Sequence, residues 1–516
     1  MLKNDHFFAV SARDGSMKPG EFAGDGLWSG DTRILSTLRV LVDGVEPTAV
    51  GLQADDGSAT FELEGAGVHV QRVRFVDEGL HERITVANRG STNVDVTLDV
   101  EVAADFAAML GIRGAVPELA SPVPVPAVAA VDGIRFVRDG HLTRVITQPH
   151  GLKHQLRLEP GEEFVLTLDV VPGSAQVTLD FDSGLRAARD IYPRWAAECM
   201  SVRTDNPVLN ELLDQAIADI RMLSNSYDTG IYPTAGLPWF AVPFGRDTLI
   251  SSTLLLHVNP EIARGVLRYL AKHQGKRVDE SSEEQPGKIL HEVRTGEVVE
   301  RGLWPHILYG TIDATALFLC ALTETEDWTH DHRFADELWP AAEAALAWCG
   351  TYGDPDGDGY LDADGGRARN QGWKDSDDPL TNTDGGEVAR PAALGFEGAR
   401  RGAQATFQPR LLDREGEVHR PGPRQLEASG ASDHLESRAL PLDADPRPPQ
   451  GGACGEPALV PRAFFRLGHP HAVRPRGQLR PVQLPQRLRL AVRHCARRRR
   501  DAAVRFRQGG RAHRAG

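Results

Sequence analysis

Val68-His69-Val70-Gln71-Arg72-Val73-Arg74-Phe75 alternates apolar and polar residues. A period of two places successive side chains on opposite faces of a strand. The pattern recurs at Arg39-Val40-Leu41-Val42 and at Val94-Asp95-Val96-Thr97-Leu98-Asp99-Val100, with turn signals such as Asp43-Gly44 and Arg89-Gly90 between the runs. Short alternating runs between tight turns predict antiparallel sheets with one wet face, and hence a β-sandwich over residues 1–189. Within it, Ala115 to Val131 is rich in Pro, Ala and Val and reads as a long surface loop.

From about Asp190 the period changes. Leu209, Leu212, Leu213, Ala216, Ile217, Ile220 and Leu223 fall at helical spacing within Pro207 to Tyr227, with Asn206 placed to cap and Pro207 at the first helical position. Asp247 to His257, Pro260 to Gln274, Asp313 to Thr325 and Phe334 to Tyr352 also read as helices. Long Gly-, Pro- and aromatic-rich connections separate them, and such loops on a helical scaffold are where function tends to sit. Residues 190–387 thus form a helical second region.

The 516 residues have ordinary globular proportions, 41% hydrophobic and 25% charged. No apolar run approaches the ~20 residues that span a bilayer, and Lys3, Asn4, Asp5 and His6 stand where a signal peptide would be apolar. No membrane partner is expected. Five scattered cysteines without CxxC spacing argue against a disulfide framework or a zinc site and fit a reducing cytoplasm. The net charge of −14 is unevenly shared. Residues 388–516 hold 25 Arg, no Lys and 11 acidic residues, for +14. The remainder has 33 basic against 61 acidic residues, for −28.

Four patches carry candidate chemistry. The first runs from Ser11-Ala12-Arg13-Asp14-Gly15-Ser16-Met17 to Gly26-Leu27-Trp28-Ser29-Gly30-Asp31-Thr32-Arg33-Ile34-Leu35. The second is Gly236-Leu237-Pro238-Trp239-Phe240-Ala241-Val242-Pro243-Phe244-Gly245-Arg246-Asp247-Thr248. The third joins Pro286-Gly287-Lys288-Ile289-Leu290-His291-Glu292 with Tyr309-Gly310-Thr311-Ile312-Asp313-Ala314-Thr315. The fourth, Asn370-Gln371-Gly372-Trp373-Lys374-Asp375-Ser376-Asp377-Asp378, puts an indole beside three carboxylates. An indole packs on the apolar face of a pyranose, and an apolar wall raises a neighbouring carboxyl's pKa so that it keeps a proton to donate.

With these motifs in this order, residues 1–387 resemble bacterial proteins related to glycogen-debranching amylo-α-1,6-glucosidases. The resemblance implies a β-sandwich followed by an all-α (α/α)6 toroid of the glucoamylase and trehalase type, here incomplete. It also implies an inverting glycosidase acting on α-linked glucosyl residues of an α-glucan. A hydrolase of small α-glycosides such as glucosylglycerate or mannosylglycerate stays open, as does a non-catalytic carbohydrate-binding protein. Arg246-Asp247 matches the family's Arg-Asp and would grip sugar hydroxyls, with Trp239 stacking on the ring. An alternative is that Asp247 merely caps its helix. Trp373-Lys374-Asp375 resembles the Trp-x-Asp around the general acid, which points to Asp375, with Asp377 and Asp378 as fallbacks. Asn370, Gln371, Trp373 and Lys374 would line the pocket, and Glu292 and Asp313 either line it or are structural.

Asp354, Asp356, Asp358 and Asp362 open like a calcium loop, but position 12 is Gly365 rather than a bidentate Glu. A tight acidic turn is the simpler reading, and no other cofactor is expected.

Inversion needs two carboxyl groups ~6.5–9.5 Å apart, and the family's base lies in late helices. After about Arg390 the pattern stops. Residues 388–516 lack Lys, Ile, Tyr, Trp, Met and Asn. Arg497-Arg498-Arg499-Arg500 could bind nucleic acid, but no aromatic interleaving supports it, and no nucleic-acid partner is expected. A frameshift explains the tail better. Back-translated and read one base later, Leu435 to Leu442 can give SNPGHCLW, Leu467 to Ala472 can give WGIRT, and Arg480 to Leu490 can give DPFSYHNGSVW. All three resemble later motifs of the same family, in order. The expectation is a chain that lacks its base and is inactive as written.

Overall fold

The computed structural model describes residues 1–20, 22–131, 133–173, 180–357 and 361–362, all within one compact unit, Met1–Gly422. The amino-terminal part is built from three antiparallel sheets. The largest has eight strands in the spatial order Val128–Ala130, Gly133–Arg138, His141–Gln148, Glu163–Pro172, Leu80–Ala87, Val68–Val76, Ser58–Gly65, Thr48–Asp55. A three-stranded sheet orders Lys153–Leu158, Val94–Ala103 and Thr37–Val42, and a four-stranded sheet runs from Leu2–Asn4 through Phe7–Val10 and Gly26–Ser29 to Thr32–Leu35. One core joins them: Val70, Ile84, Val86, Leu166 and Leu168 from the large sheet meet Val40, Leu98 and Val100, with Leu27 and Leu35 at one end. This is the sandwich expected from the alternation.

The strand Val68–Val76 departs from a simple wet-face pattern. Val68, Val70, Arg72 and Arg74 share one face by the pleat, and both arginines are about 1% exposed. Register sets Arg74 opposite Glu82. Glu82 accepts from Arg72 Nε at 2.5 Å and from Arg74 Nε at 2.7 Å. The arginines also donate to the Asp14 and Gly15 carbonyls at 3.0 and 2.7 Å. The Ser11–Met17 patch is therefore pinned to the sheet by buried guanidinium groups.

Residues 115–131 do not form only a surface loop. A 3-10 turn spans Pro117–Leu119, Val116 and Val125 are buried, and the segment ends in the edge strand Val128–Ala130. The Val125 N–H donates to the Ala104 carbonyl at 2.8 Å, which ties its middle down.

Apart from the short turns Met109–Ile112 and Pro117–Leu119, helical structure begins at Phe181, before the change of period near Asp190. The helix Phe181–Glu198 buries Gly184, Ala188, Tyr192 and Trp195, a helical spacing of two small and two aromatic residues with no aliphatic stripe to mark it. The next helix, Pro207–Leu223, is capped as expected, with Asn206 accepting from the Val208 and Leu209 N–H groups. It stops at Leu223, and the hairpin Ser224–Tyr227 with Gly230–Pro233 follows in place of a last helical turn. Of this helix only Ala218 is buried, while Val208, Leu209 and Leu212 are exposed. The helices Arg246–Leu254, Pro260–Lys272, Ala314–Thr329 and His332–Cys349 complete six of nine residues or more among the described residues. A second core packs Ile262, Val266 and Leu270 against Phe318, Leu322, Leu338 and Trp339. No helix among the described residues is long and apolar enough to cross a membrane.

Candidate active site

Three of the four patches meet at the start of the helix Arg246–Leu254. Gly245 lies so close to Leu290 that a Cβ there would sit 2.0 Å from the Leu290 carbonyl oxygen, and its N–H donates to the His291 carbonyl at 2.9 Å. Phe244 and Glu292 form an antiparallel bridge. The Ile289 N–H donates to Thr315 Oγ1 at 2.9 Å, and the His291 N–H to the Leu308 carbonyl at 2.7 Å.

Arg246 is buried here. Its Nη1 donates to Asp313 Oδ2 at 3.1 Å, and Thr311 Oγ1 donates to Asp313 Oδ1 at 2.7 Å. Asp313 occupies the cap position of Ala314–Thr329 but makes no side-chain cap hydrogen bond. Its oxygens serve Arg246 and Thr311 instead. Asp247 is not a helix cap either: that position is Gly245. Half-buried in the first helical turn, Asp247 forms no hydrogen bond or ion pair with another described residue, and so keeps its lone pairs.

His291 stands beside them, its ring 5.5 Å from Phe244 and edge-on. Its Nδ1 is buried without a hydrogen-bond partner. Burial pushes the imidazole pKa down, and Arg246 adds to this against the upward pull of Glu292, Asp247 and Asp313. The ring is therefore mostly neutral near pH 7, with one donor and one acceptor nitrogen.

Glu292 is fully engaged. Its Oε2 accepts from Arg294 Nε at 2.9 Å and Nη2 at 2.8 Å, and its Oε1 accepts from Trp304 Nε1 at 3.0 Å. Arg294 Nη1 in turn donates to Asp31 Oδ1 at 3.0 Å and to the Trp239 carbonyl at 3.3 Å. Burial opposes the charge on Arg294, but Glu292 and Asp31 outweigh it and raise the guanidinium pKa. The first patch thus joins the other two through Asp31. Trp239 is half-buried, with its ring 6.0 Å from Phe22, against the cluster of Phe8, Trp28 and Met109.

Asn370, Gln371, Trp373, Lys374, Asp375, Asp377 and Asp378 lie outside the described residues, as do Asp358 and the segment from 388 onward. Asp354, Asp356 and Asp362 are described; among the described residues no group of three or more His, Cys, Asp or Glu could hold a metal ion. A cavity of about 580 Å³ opens next to Asp313, lined by Ile312, Gln285, Lys288, Trp348, Tyr352 and Asp362. Neither Arg246, Asp247, His291 nor Asp313 lines it.

The arrangement offers a carboxylate acceptor, a neutral imidazole and a clamped guanidinium within one patch, as vicinal hydroxyls require. Glu292 and Asp313 have committed oxygens and act as anchors. Sequence reasoning named neither Asp31, His291, Arg294 nor Trp304 as site residues. The legible signal was Glu292-Val293-Arg294, opposite charges two apart on one strand face.

Residues 2–176 match the family model for the N-terminal domain of (some) glycogen debranching enzymes. The amino-terminal region is thus similar to a domain of (some) glycogen debranching enzymes. A search of curated proteins gives no match. Among solved structures, a chain assigned to kojibiose phosphorylase, from the human microbiome, is 12% identical with a TM-score of 0.43; the match covers 64% of this chain and 52% of that one. This chain therefore spans about half of that protein. A polysaccharide lyase is 12% identical with a TM-score of 0.21, covering 67% and 69%. At such scores neither structure bears on the reading.

Proposed function

We propose that the chain derives from an inverting glycoside hydrolase of amylo-α-1,6-glucosidase type, acting on α-linked glucosyl residues of an α-glucan. In this reading Arg246, Asp247, His291 and Trp239 hold the sugar before the cut, Asp375 protonates the leaving oxygen, and the helices 181–349 are part of an (α/α)6 toroid. The observation that carries it is convergence: patches up to 263 residues apart meet around Asp247 and Arg294, behind a β-domain similar to that of (some) glycogen debranching enzymes. The unengaged carboxylate of Asp247 beside the Arg246 guanidinium fits a neutral sugar better than a metal cation, which the guanidinium would repel, or a phosphate, which the carboxylate would repel.

Inversion needs a second carboxyl group to activate water. We place it in the sequence that residues 388–516 would encode in the shifted frame. The 516-residue chain then binds sugar without turning it over, and the frame-corrected product hydrolyses. The test is to express both and assay each on branched α-glucan and on glucosylglycerate. Turnover by the 516-residue chain would overturn the missing base. Turnover of glucosylglycerate alone would move the reading to small α-glycosides. If Asp375→Asn in the corrected chain abolishes turnover and keeps sugar binding, Asp375 is the acid. Binding without turnover in the corrected chain would make the protein a carbohydrate-binding one.

A further inference from the structure

We infer that Asp31 of the amino-terminal β-domain is a positioning residue of the candidate sugar site, setting Glu292 and the Trp239 backbone through Arg294. The inference rests on the reading of that site as a sugar site. Asp31 lies in the turn between the strands Gly26–Ser29 and Thr32–Leu35, and its carbonyl is held by the Met109 N–H at 2.8 Å. Its Oδ1 receives Arg294 Nη1 at 3.0 Å and its Oδ2 receives the Thr295 N–H at 2.9 Å. Both side chains are 1% exposed.

The guanidinium of Arg294 is planar, so carboxylates on two of its edges fix its orientation. Nε and Nη2 converge on Glu292 Oε2, while Nη1 reaches Asp31 and the Trp239 carbonyl. Any displacement of the hairpin that carries Asp31 is therefore passed to Glu292. Backbone shape repeats the constraint. Gly30 and Gly296 have φ of +55° and +73°. A Cβ on Gly296 would lie 2.5 Å from Thr32 Oγ1, and one on Gly30 would lie 3.0 Å from Thr295 Oγ1. The hairpin and the 294–296 loop interlock because both glycines adopt the left-handed region.

Adhesion alone does not need these charges. Phe8, Trp28 and Met109 already pack with Ala241 and Trp239 nearby. A buried ion pair adds little net stability over apolar packing, but it specifies a single geometry. The charges here specify where Glu292 stands.

The test uses Asp31→Asn in the 516-residue chain, with Gly30→Ala as a companion that displaces the hairpin without removing a charge. The reporter is the Trp304 indole N–H resonance, assigned with Trp304→Phe, because that group donates to Glu292. The resonance should move in Asp31→Asn and less in Gly30→Ala. Isomaltose affinity, read by calorimetry, should fall about tenfold or more in Asp31→Asn. An unmoved Trp304 resonance in folded Asp31→Asn overturns the inference; if that variant does not fold, an unmoved resonance in Gly30→Ala does so. If Trp304 moves but the wild-type chain binds no isomaltose, the sugar reading falls and the coupling of Asp31 to Glu292 stands. If wild type and Asp31→Asn bind isomaltose equally, the inference falls and the sugar reading survives.

Discussion

Asp313 and Asp247 belong to the same candidate site and differ in what holds them. Asp313 is buried against Arg246, and both of its oxygens are engaged. Removing it breaks a buried ion pair, which typically costs about 3–5 kcal/mol. Asp247 is half-buried and contributes to stability through its place in the first helical turn, worth under about 1 kcal/mol. Asp313→Ala should therefore lower the urea midpoint strongly. Asp247→Asn should leave it almost unchanged while abolishing isomaltose binding. If Asp247→Asn unfolds as readily as Asp313→Ala, or still binds the sugar, the assignment of Asp247 to the sugar fails. The same contrast shows what could be read from the sequence. Arg246 and Asp247 stand side by side in one motif, but the ion pair of Arg246 with Asp313, 67 residues on, has no local signature. Arg72 and Arg74 were not legible either: the letters alternate as for a wet face, and only the register against Glu82 shows that the arginines point inward. Arg294 with Asp31 was hidden for the same reason, since a pair 263 residues apart has no local signature.

At the scale of elements, two titratable groups sit where strands meet and pull stability in opposite directions. His81 pairs in register with Asp169 across the strands Leu80–Ala87 and Glu163–Pro172, and lies 2.6 Å from Asp169 and 2.7 Å from Asp77. Burial lowers its pKa, but the hydrogen bonds to Asp169 and Asp77 outweigh this and raise it to about 9. The folded state holds this proton more tightly than the unfolded chain. The stabilisation is complete below the unfolded value near 6.5 and is lost as pH rises through about 9. Lys3, on the first strand, donates to the Ser224 carbonyl and Asn225 Oδ1 of the second hairpin. Burial lowers its pKa to about 7, with Arg221 adding to this against Asp5. Here the unfolded chain binds the extra proton between about 7 and 10.5, so stability rises with pH across that span. The two slopes oppose each other between pH 7 and 9, with ceilings of roughly 3 kcal/mol for His81 and roughly 5 kcal/mol for Lys3. Urea midpoints of single variants separate them. Lys3→Met should lose stability from pH 6.5 to 9, and His81→Gln should gain it from pH 7 to 10. A flat profile in His81→Gln would remove Lys3 from this account. Neither contact was legible in the sequence, because each pairs an alternating strand residue with a partner that only the topology supplies.

Across the whole molecule, the helical region has a well-packed side and an unpacked one. Pro260–Lys272, Ala314–Thr329 and His332–Cys349 share the second core. Pro207–Leu223 carries as regular an apolar stripe, and the period of its leucines correctly marked it as a helix. Periodicity reports which face seeks burial and cannot report whether a neighbour is there to bury it. In the structure Val208 is 61%, Leu209 41% and Leu212 62% exposed, and Leu254 at the end of Arg246–Leu254 is 58% exposed. Exposed apolar surface such as that of Val208, Leu209 and Leu212, neighbours on one helix, drives association and binds apolar dyes. The purified chain should therefore enhance ANS fluorescence at neutral pH and sediment as concentration-dependent assemblies. Replacing Val208 and Leu212 together by Lys and Glu should reduce both signals. The melting temperature should change little, because substitutions at exposed positions typically stay within about 0.5 kcal/mol each. A fall in melting temperature of ten degrees or more would mean that these side chains are buried in solution. The helix would then have found its cover.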